Sequence, residues 1–121
     1  KEALDFIDNI NCLIFDSGFS NKFNYPEVFY GRNRPKIPDE LVEILMEKKL
    51  QFFGCDLPSV DSSGSKEKPV HNALLGSDYV IYESLANLDQ IPVLEEFRFI
   101  GLPLNFIGLD GSPVRAIAEL L

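Results

Sequence analysis

The sequence predicts an α/β fold, a mixed sheet with peripheral helices, and three stretches carry that prediction. Leu13, Ile14 and Phe15 form a short continuous apolar run, the pattern of a strand buried on both faces. From Pro38 to Lys49 apolar residues recur at helical spacing. Residues 50–57 (L-Q-F-F-G-C-D-L) are again mostly apolar and read as an interior strand. Strand, helix and strand with short connections make a βαβ unit, so the two strands are expected to be parallel with a right-handed crossover. A chain of 121 residues has the size of one ordinary domain, and residues 1–121 are read as one.

Taken in order, the first strand runs into Asp16-Ser17-Gly18, residue types that suit a turn. Residues 19–37 are aromatic and loop-like, with no sustained period. Phe19, Phe23, Tyr25, Phe29 and Tyr30 could shape a pocket for a flat substrate, cap the core or line a subunit interface. Phe23 and Phe29 are expected to cap the core or line a subunit interface, and Tyr25 and Tyr30 stay open. Pro38 suits a first helical turn, Asp39 and Glu40 complement the positive end of the dipole, and Lys48 and Lys49 the negative end. Leu41, Ile44 and Leu45 give the apolar stripe, widened by Val42 and Met46.

Pro58-Ser59-Val60-Asp61 follows the second strand, at the end where open α/β sheets gather their functional loops. Ser59 and Asp61 either orient a water or substrate carbonyl, or bond their own turn. Asp56, if buried, must be paired, and reads as structural. Residues 62–68 (S-S-G-S-K-E-K) form a polar loop suited to a flap or an interface segment. Pro69-Val70-His71 opens a short helix that Gly76 ends. Tyr79 to Tyr82 reads as a third strand, with Glu83 on the face shared by Ile81 and Tyr79.

Residues 84–95 read as a helical turn and loop with Leu85 and Leu88 inward. Residues 97–107 give one or two strands, interrupted at Gly101 and Pro103. Asp110-Gly111 reads as a turn, Ser112 as an N-cap and Pro113 as a first helical residue. Val114, Ile117, Ala118 and Leu121 then make a stripe at helical spacing, so a C-terminal helix is expected.

Composition excludes some classes. A net charge of −8 argues against nucleic-acid binding, which needs a basic face, and gives no attraction to anionic membranes. No apolar run approaches a membrane span, and the first residues lack a basic-then-apolar signal pattern. Cys12 and Cys55 sit in apolar surroundings and are expected as buried free thiols in a reducing cytoplasm.

The chemistry-bearing pair is His71, the one histidine, and Glu83 twelve residues on. Imidazole and carboxylate are ligands that a divalent metal such as zinc accepts, but a lone His near an acid is more often a surface or capping residue. Twelve residues is no helix-face spacing, so the chain must turn between them, and Gly76-Ser77-Asp78 suits that turn. An acid on a packed strand face is costly unless paired or metal-bound, which favours a ligand role for Glu83. A serine nucleophile at Ser59 has no histidine base of its own apart from His71.

The pattern H-x-x-L-L, an apolar strand, then E-x-L-x-N-L-D resembles the later part of the cyclase family of metal-dependent hydrolases. Two further blocks match it, G-C-D-L-P-S-V-D at 54–61 and D-G-S-P-V-R-A-I-A at 110–118. The resemblance implies a swivelling β/β/α fold, His71 and Glu83 as metal ligands, and Ser59 and Asp61 close by. It also implies Asp16-Ser17-Gly18 near the site, an oligomeric assembly, and zinc or manganese as cofactor. The implied reaction is metal-assisted hydrolysis of an amide such as N-formylkynurenine, giving kynurenine and formate. The family's N-terminal H-x-G-T-H-x-D-x-P motif, which holds its other ligands and a catalytic histidine, needs histidines this sequence does not have. The chain is therefore read as the C-terminal part of such a domain, incomplete at the N-terminus. It is expected to form a homo-oligomer or to associate with a chain that supplies the missing part. The competing expectation is an inert fragment or an oligomerisation subunit, with His71 unligated.

Overall fold

The computed structural model describes residues 7–121, which fall in two compact units divided between Gln90 and Ile91. Leu13-Ile14-Phe15 lies in β1 (Cys12–Phe15), and the later apolar runs supply β2 (Phe52–Cys55) and β3 (Val80–Tyr82). All three are parallel, in the order β1-β2-β3. Parallel neighbours need crossovers. That between β1 and β2 holds α1 (Pro26–Phe29) and α2 (Asp39–Lys48), and that between β2 and β3 holds α3 (Pro69–Gly76).

The alternation of a strand explains the core. Phe53 and Cys55 are fully buried and join Leu45 of α2, Leu74 of α3, Ile37, Leu57, Val60 and Tyr79 in one cluster. Gly54 points the other way. A Cβ there would lie 2.6 Å from Ile14 Cδ1 and 2.9 Å from Leu85 Cδ1, so close packing leaves little room for a side chain. Tyr79 stitches the layers: its hydroxyl donates to the Leu45 carbonyl at 2.6 Å and accepts the Leu50 amide at 2.8 Å. Leu85 and Leu88 are buried, as their spacing implied.

Residues 19–30 are more regular than their composition suggested, with a 3-10 turn at Phe19–Lys22 followed by α1. Phe29 is fully buried, with the rings of Phe19, Phe23 and Tyr30 between 5.1 and 5.7 Å away. Phe23 caps Phe29 while half exposed, and Tyr25 and Tyr30 face outward.

The second unit corrects the C-terminal helix. Residues Val114–Leu120 are strand β5, paired antiparallel along its full length with β4 (Phe97–Pro103). The run V-R-A-I-A-E-L satisfies a period of two as well as one of 3.6. Ladder pairing with β4 decides between them, as tertiary context overrides weak local preference. Gly101 and Pro103 do not break β4; Pro103 closes it, where a missing N–H costs least. Ser112 caps no helix, since its hydroxyl accepts the Leu104 amide and donates to the Pro113 carbonyl. The α/β class stands, but the sheet expected to be mixed is two: parallel pairing lies in one, antiparallel pairing in the other. The short connection from β4 to β5 permits only the antiparallel form. No helix among the described residues is long and apolar enough to cross a membrane.

Candidate functional site

The loops beyond the carboxyl ends of β2 and β3 meet the first turn of α3, and His71 stands where they meet. Pro69 opens α3, and Lys68, its N-cap, makes no capping bond with its side chain. Helix-start amides need an acceptor, and Asp61 provides it from the loop after β2. Its Oδ1 accepts the Val70 amide at 2.9 Å and its Oδ2 the His71 amide at 3.1 Å. The same Oδ2 lies 2.7 Å from His71 Nδ1. One carboxylate thus caps the helix and orients the imidazole.

Asp61 is 5% exposed. Burial alone pushes its carboxyl up, but the Val70 amide and the two bonds from His71 outweigh burial and hold it below its ordinary value. An ionised carboxylate only accepts, so Nδ1 carries the proton and Nε2 faces the other way. There it meets Glu83 Oε1 at 3.2 Å. Glu83 follows directly on β3, and Ser84 beyond it takes a left-handed conformation, φ 57°, with its amide bonded to the Leu57 carbonyl at 2.8 Å. The Val60 amide donates to Glu83 Oε1 at 3.0 Å. Neighbouring residues of one loop therefore hold the two candidate ligands, Val60 on Glu83 and Asp61 on His71.

An Nε2 lone pair facing a carboxylate oxygen is repulsive unless a proton or a cation lies between them. The donor set fits a cation: His71 and Glu83 are about a quarter and a third exposed, so the gap is reachable. Two ligands about 2.0–2.1 Å from a tetrahedral ion lie about 3.3 Å apart, close to the separation seen. The two carboxylates occupy opposite ring nitrogens, so no single ion can take Asp61, His71 and Glu83 together. Among the described residues no group of three His, Cys, Asp or Glu is placed to hold a metal.

The other sequence candidates fall as follows. Ser59 accepts the Asp61 amide at 3.2 Å, bonding its own turn. Asp56 is fully buried and takes Ser17 through its amide and hydroxyl, at 3.0 and 2.6 Å, and Ser20 through its amide at 3.0 Å. The Asp16-Ser17-Gly18 turn, with Gly18 at φ +72°, is thereby tied to the carboxyl end of β2. Two contributors escaped the sequence reading, the Val60 amide and Arg34, whose Nη2 donates to the Asp61 carbonyl at 3.0 Å. A backbone donor leaves no sequence signal. For Arg34 the sole signal is a cation-rich stretch in an acidic chain.

No protein-family model matches the chain. It is 32% identical over 115 residues to the kynurenine formamidase of Geobacillus thermodenitrificans, covering 95% of this chain and 52% of that enzyme. To the kynurenine formamidase of Bacillus mycoides it is 32% identical over 119 residues, 97% of this chain and 54% of that one. The chain thus spans about half the length of the curated relatives it matches. Among solved structures, one described as a potential metal-dependent hydrolase with cyclase activity superimposes with a TM-score of 0.56 at 18% identity, over 98% of this chain and 69% of that one.

Proposed function

We propose that the chain is part of a member of the cyclase family of metal-dependent hydrolases and carries part of an amide-hydrolysing site in which His71 and Glu83 hold a divalent ion. The substrate is an N-formyl or related aryl amide, N-formylkynurenine being the one the relatives' name suggests. The observation that carries this reading is the contact of His71 Nε2 with Glu83 Oε1 at 3.2 Å, in a histidine whose other nitrogen is fixed on Asp61. Zinc or manganese would supply Lewis acidity there, lowering the pKa of water and polarising the substrate carbonyl. Asp61 fixes the tautomer and the ring orientation, the usual service of a carboxylate behind a ligating imidazole. The Val60 amide fixes which oxygen of Glu83 faces the ion. Catalytic zinc sites use three protein ligands, so the further ligands and the general base come from polypeptide beyond these 121 residues. Residues 1–121 then form one C-terminal portion of a swivelling β/β/α domain in a cytoplasmic, oligomeric enzyme.

A second reading has its own observation. His71 bonded between two carboxylates is satisfied without a metal if both ring nitrogens carry protons. The chain is then an inert structural or oligomerisation subunit. Zinc titration followed through the imidazole nitrogen resonances of His71 separates the two. On the hydrolase reading zinc shifts Nε2, leaves Nδ1 protonated on Asp61, and finds no such site in His71→Ala. Resonances that ignore zinc, with both nitrogens protonated, would leave the structural bridge.

A further inference from the structure

β5 is an edge strand. Among the described residues its one strand partner is β4, so the N–H and C=O groups along its other side are without a ladder partner. Two strands alone make a marginal sheet, and an open edge is a template for a further strand. The hairpin also keeps apolar side chains on both faces. Phe97, Phe99, Val114, Ala116 and Ala118 share one face and are partly buried. Ile100 and Ile117 stand opposite each other on the other face, 37% and 50% exposed.

The order of charges along β5 decides what fits its edge. Arg115 and Glu119 lie two residues either side of Ile117, on the same exposed face. Reversing the strand about Ile117 therefore exchanges a cation for an acid. Two copies of β5 running antiparallel about that residue set Ile117 against the partner's Ile117, and Arg115 against the partner's Glu119. Pairing about a residue joins positions of like parity, so outward N–H groups meet outward C=O groups. With β4 of each copy outside, the exposed face has a central row of four isoleucines, Ile100 and Ile117 with the partner's Ile117 and the partner's Ile100. In the row beside it Glu119 stands between Arg98, already 2.8 Å away, and the partner's Arg115. Arg115 gains an acid that its own hairpin does not set opposite it, since its neighbour on β4 is Leu102. On the other face Ala116 meets the partner's Ala118, and Val114 the partner's Leu120. A slip of two residues in either direction opposes Ile117 to a charge, which selects this one register. β4 has no such match, because Arg98 is its one charge and Pro103 lacks a donor. We propose that β5 is the pairing strand of a symmetric dimer of this chain, joining two hairpins into a four-stranded antiparallel sheet about Ile117. A two-fold interface must be complementary to itself, and the charge order of β5 meets that demand. The inference rests on the hairpin alone and stands apart from the hydrolase reading.

The test is sedimentation of the 121-residue chain over a concentration series, in which a reversible dimer should appear. Arg115→Glu leaves the Arg98–Glu119 pair in place but sets acid against acid twice in the dimer. It should raise the dissociation constant about tenfold or more. Glu119→Arg should do the same by opposing cations. An equimolar mixture of the two variants restores opposite charge at both places, so it should form a mixed dimer about as tight as the native one. Ile117→Cys tests the register. Directly opposed strand residues lie about 4.5–5.5 Å apart at Cα, within the about 4.4–6.8 Å that a disulfide spans. Mild oxidation should therefore cross-link Ile117→Cys into a covalent dimer, and should cross-link neither the native chain nor Val114→Cys, whose opposite residue is the partner's Leu120. Should Glu119→Arg fail to fold for want of its pair with Arg98, Arg115→Glu and the Ile117→Cys cross-link decide. A chain that stays monomeric over the whole series overturns the proposal. So does a dimer that is indifferent to Arg115→Glu and uncross-linked at Ile117→Cys, since it joins through another face.

Discussion

Asp61 serves two backbone amides and one ring nitrogen with a single carboxylate, at 2.9, 3.1 and 2.7 Å. Asp61→Ala leaves all three donors without an acceptor in a nearly closed environment. The expected loss is about 2–3 kcal/mol of stability, read as a lower urea midpoint with an unchanged slope. In the hydrolase reading it also lowers zinc affinity about ten- to a hundredfold, because the imidazole loses the partner that fixes it. A urea midpoint within experimental error of the native chain would show that the amides find other acceptors. The sequence left two roles open for Asp61, a turn residue or a group beside the site. Its backbone lies in the Ser59 turn and its carboxylate on His71. What could not be read was the partnership itself, because a helix cap ten residues upstream depends on how the loop folds back over α3.

Elements were legible where local chemistry and tertiary packing agreed. Pro69 and Gly76 bound α3 as their residue types require, and α2 begins beside Pro38 and ends at a lysine. β5 shows the opposite case, an alanine-containing run compatible with two periods and decided by its seven paired residues with β4. Tyr79 tests the packing between elements. Its aromatic body belongs to the core, while its hydroxyl serves the Leu45 carbonyl at the end of α2 and the Leu50 amide before β2. Burial, as the main cause, raises its phenol above the ordinary value, so it stays protonated and able to donate at neutral pH. Tyr79→Phe keeps the ring and leaves the Leu50 amide without its acceptor, while the Leu45 carbonyl keeps the Lys49 amide. It should cost about 1–3 kcal/mol, with amide exchange fastest to rise at Leu50 and in the last turn of α2. A loss spread evenly over the first unit would show that the hydroxyl is no local tie.

At the scale of the whole molecule, the parallel sheet collects its chemistry at one end because each crossover returns the chain to the same side. β1, β2 and β3 all end beside Asp56, Asp61 or Glu83. That arrangement places carboxylates around Cys55, which is fully buried. Burial pushes its thiol up to about 12; the Leu57 carbonyl lowers it, and Glu83 and Asp56 raise it further. Burial likewise raises Cys12, to about 11. An unfolded thiol titrates near about 8.5, so the folded chain keeps these protons over a range in which the unfolded chain has lost them. The stability they represent is fully present below about pH 8.5 and is lost as pH rises toward the folded values, on the order of 1 kcal/mol per pH unit for Cys55. Urea midpoints should therefore hold steady from pH 7 to about 8.5 and fall steadily up to about pH 11. Other groups of this acidic chain also lose protons in that window, so the comparison that isolates the thiol is Cys55→Ala. That variant starts lower, because the cavity it leaves costs stability at every pH, but its midpoint should decline more slowly with pH. Parallel pH profiles for the native chain and Cys55→Ala would mean that the alkaline loss comes from elsewhere and that the Cys55 thiol ionises as readily folded as unfolded.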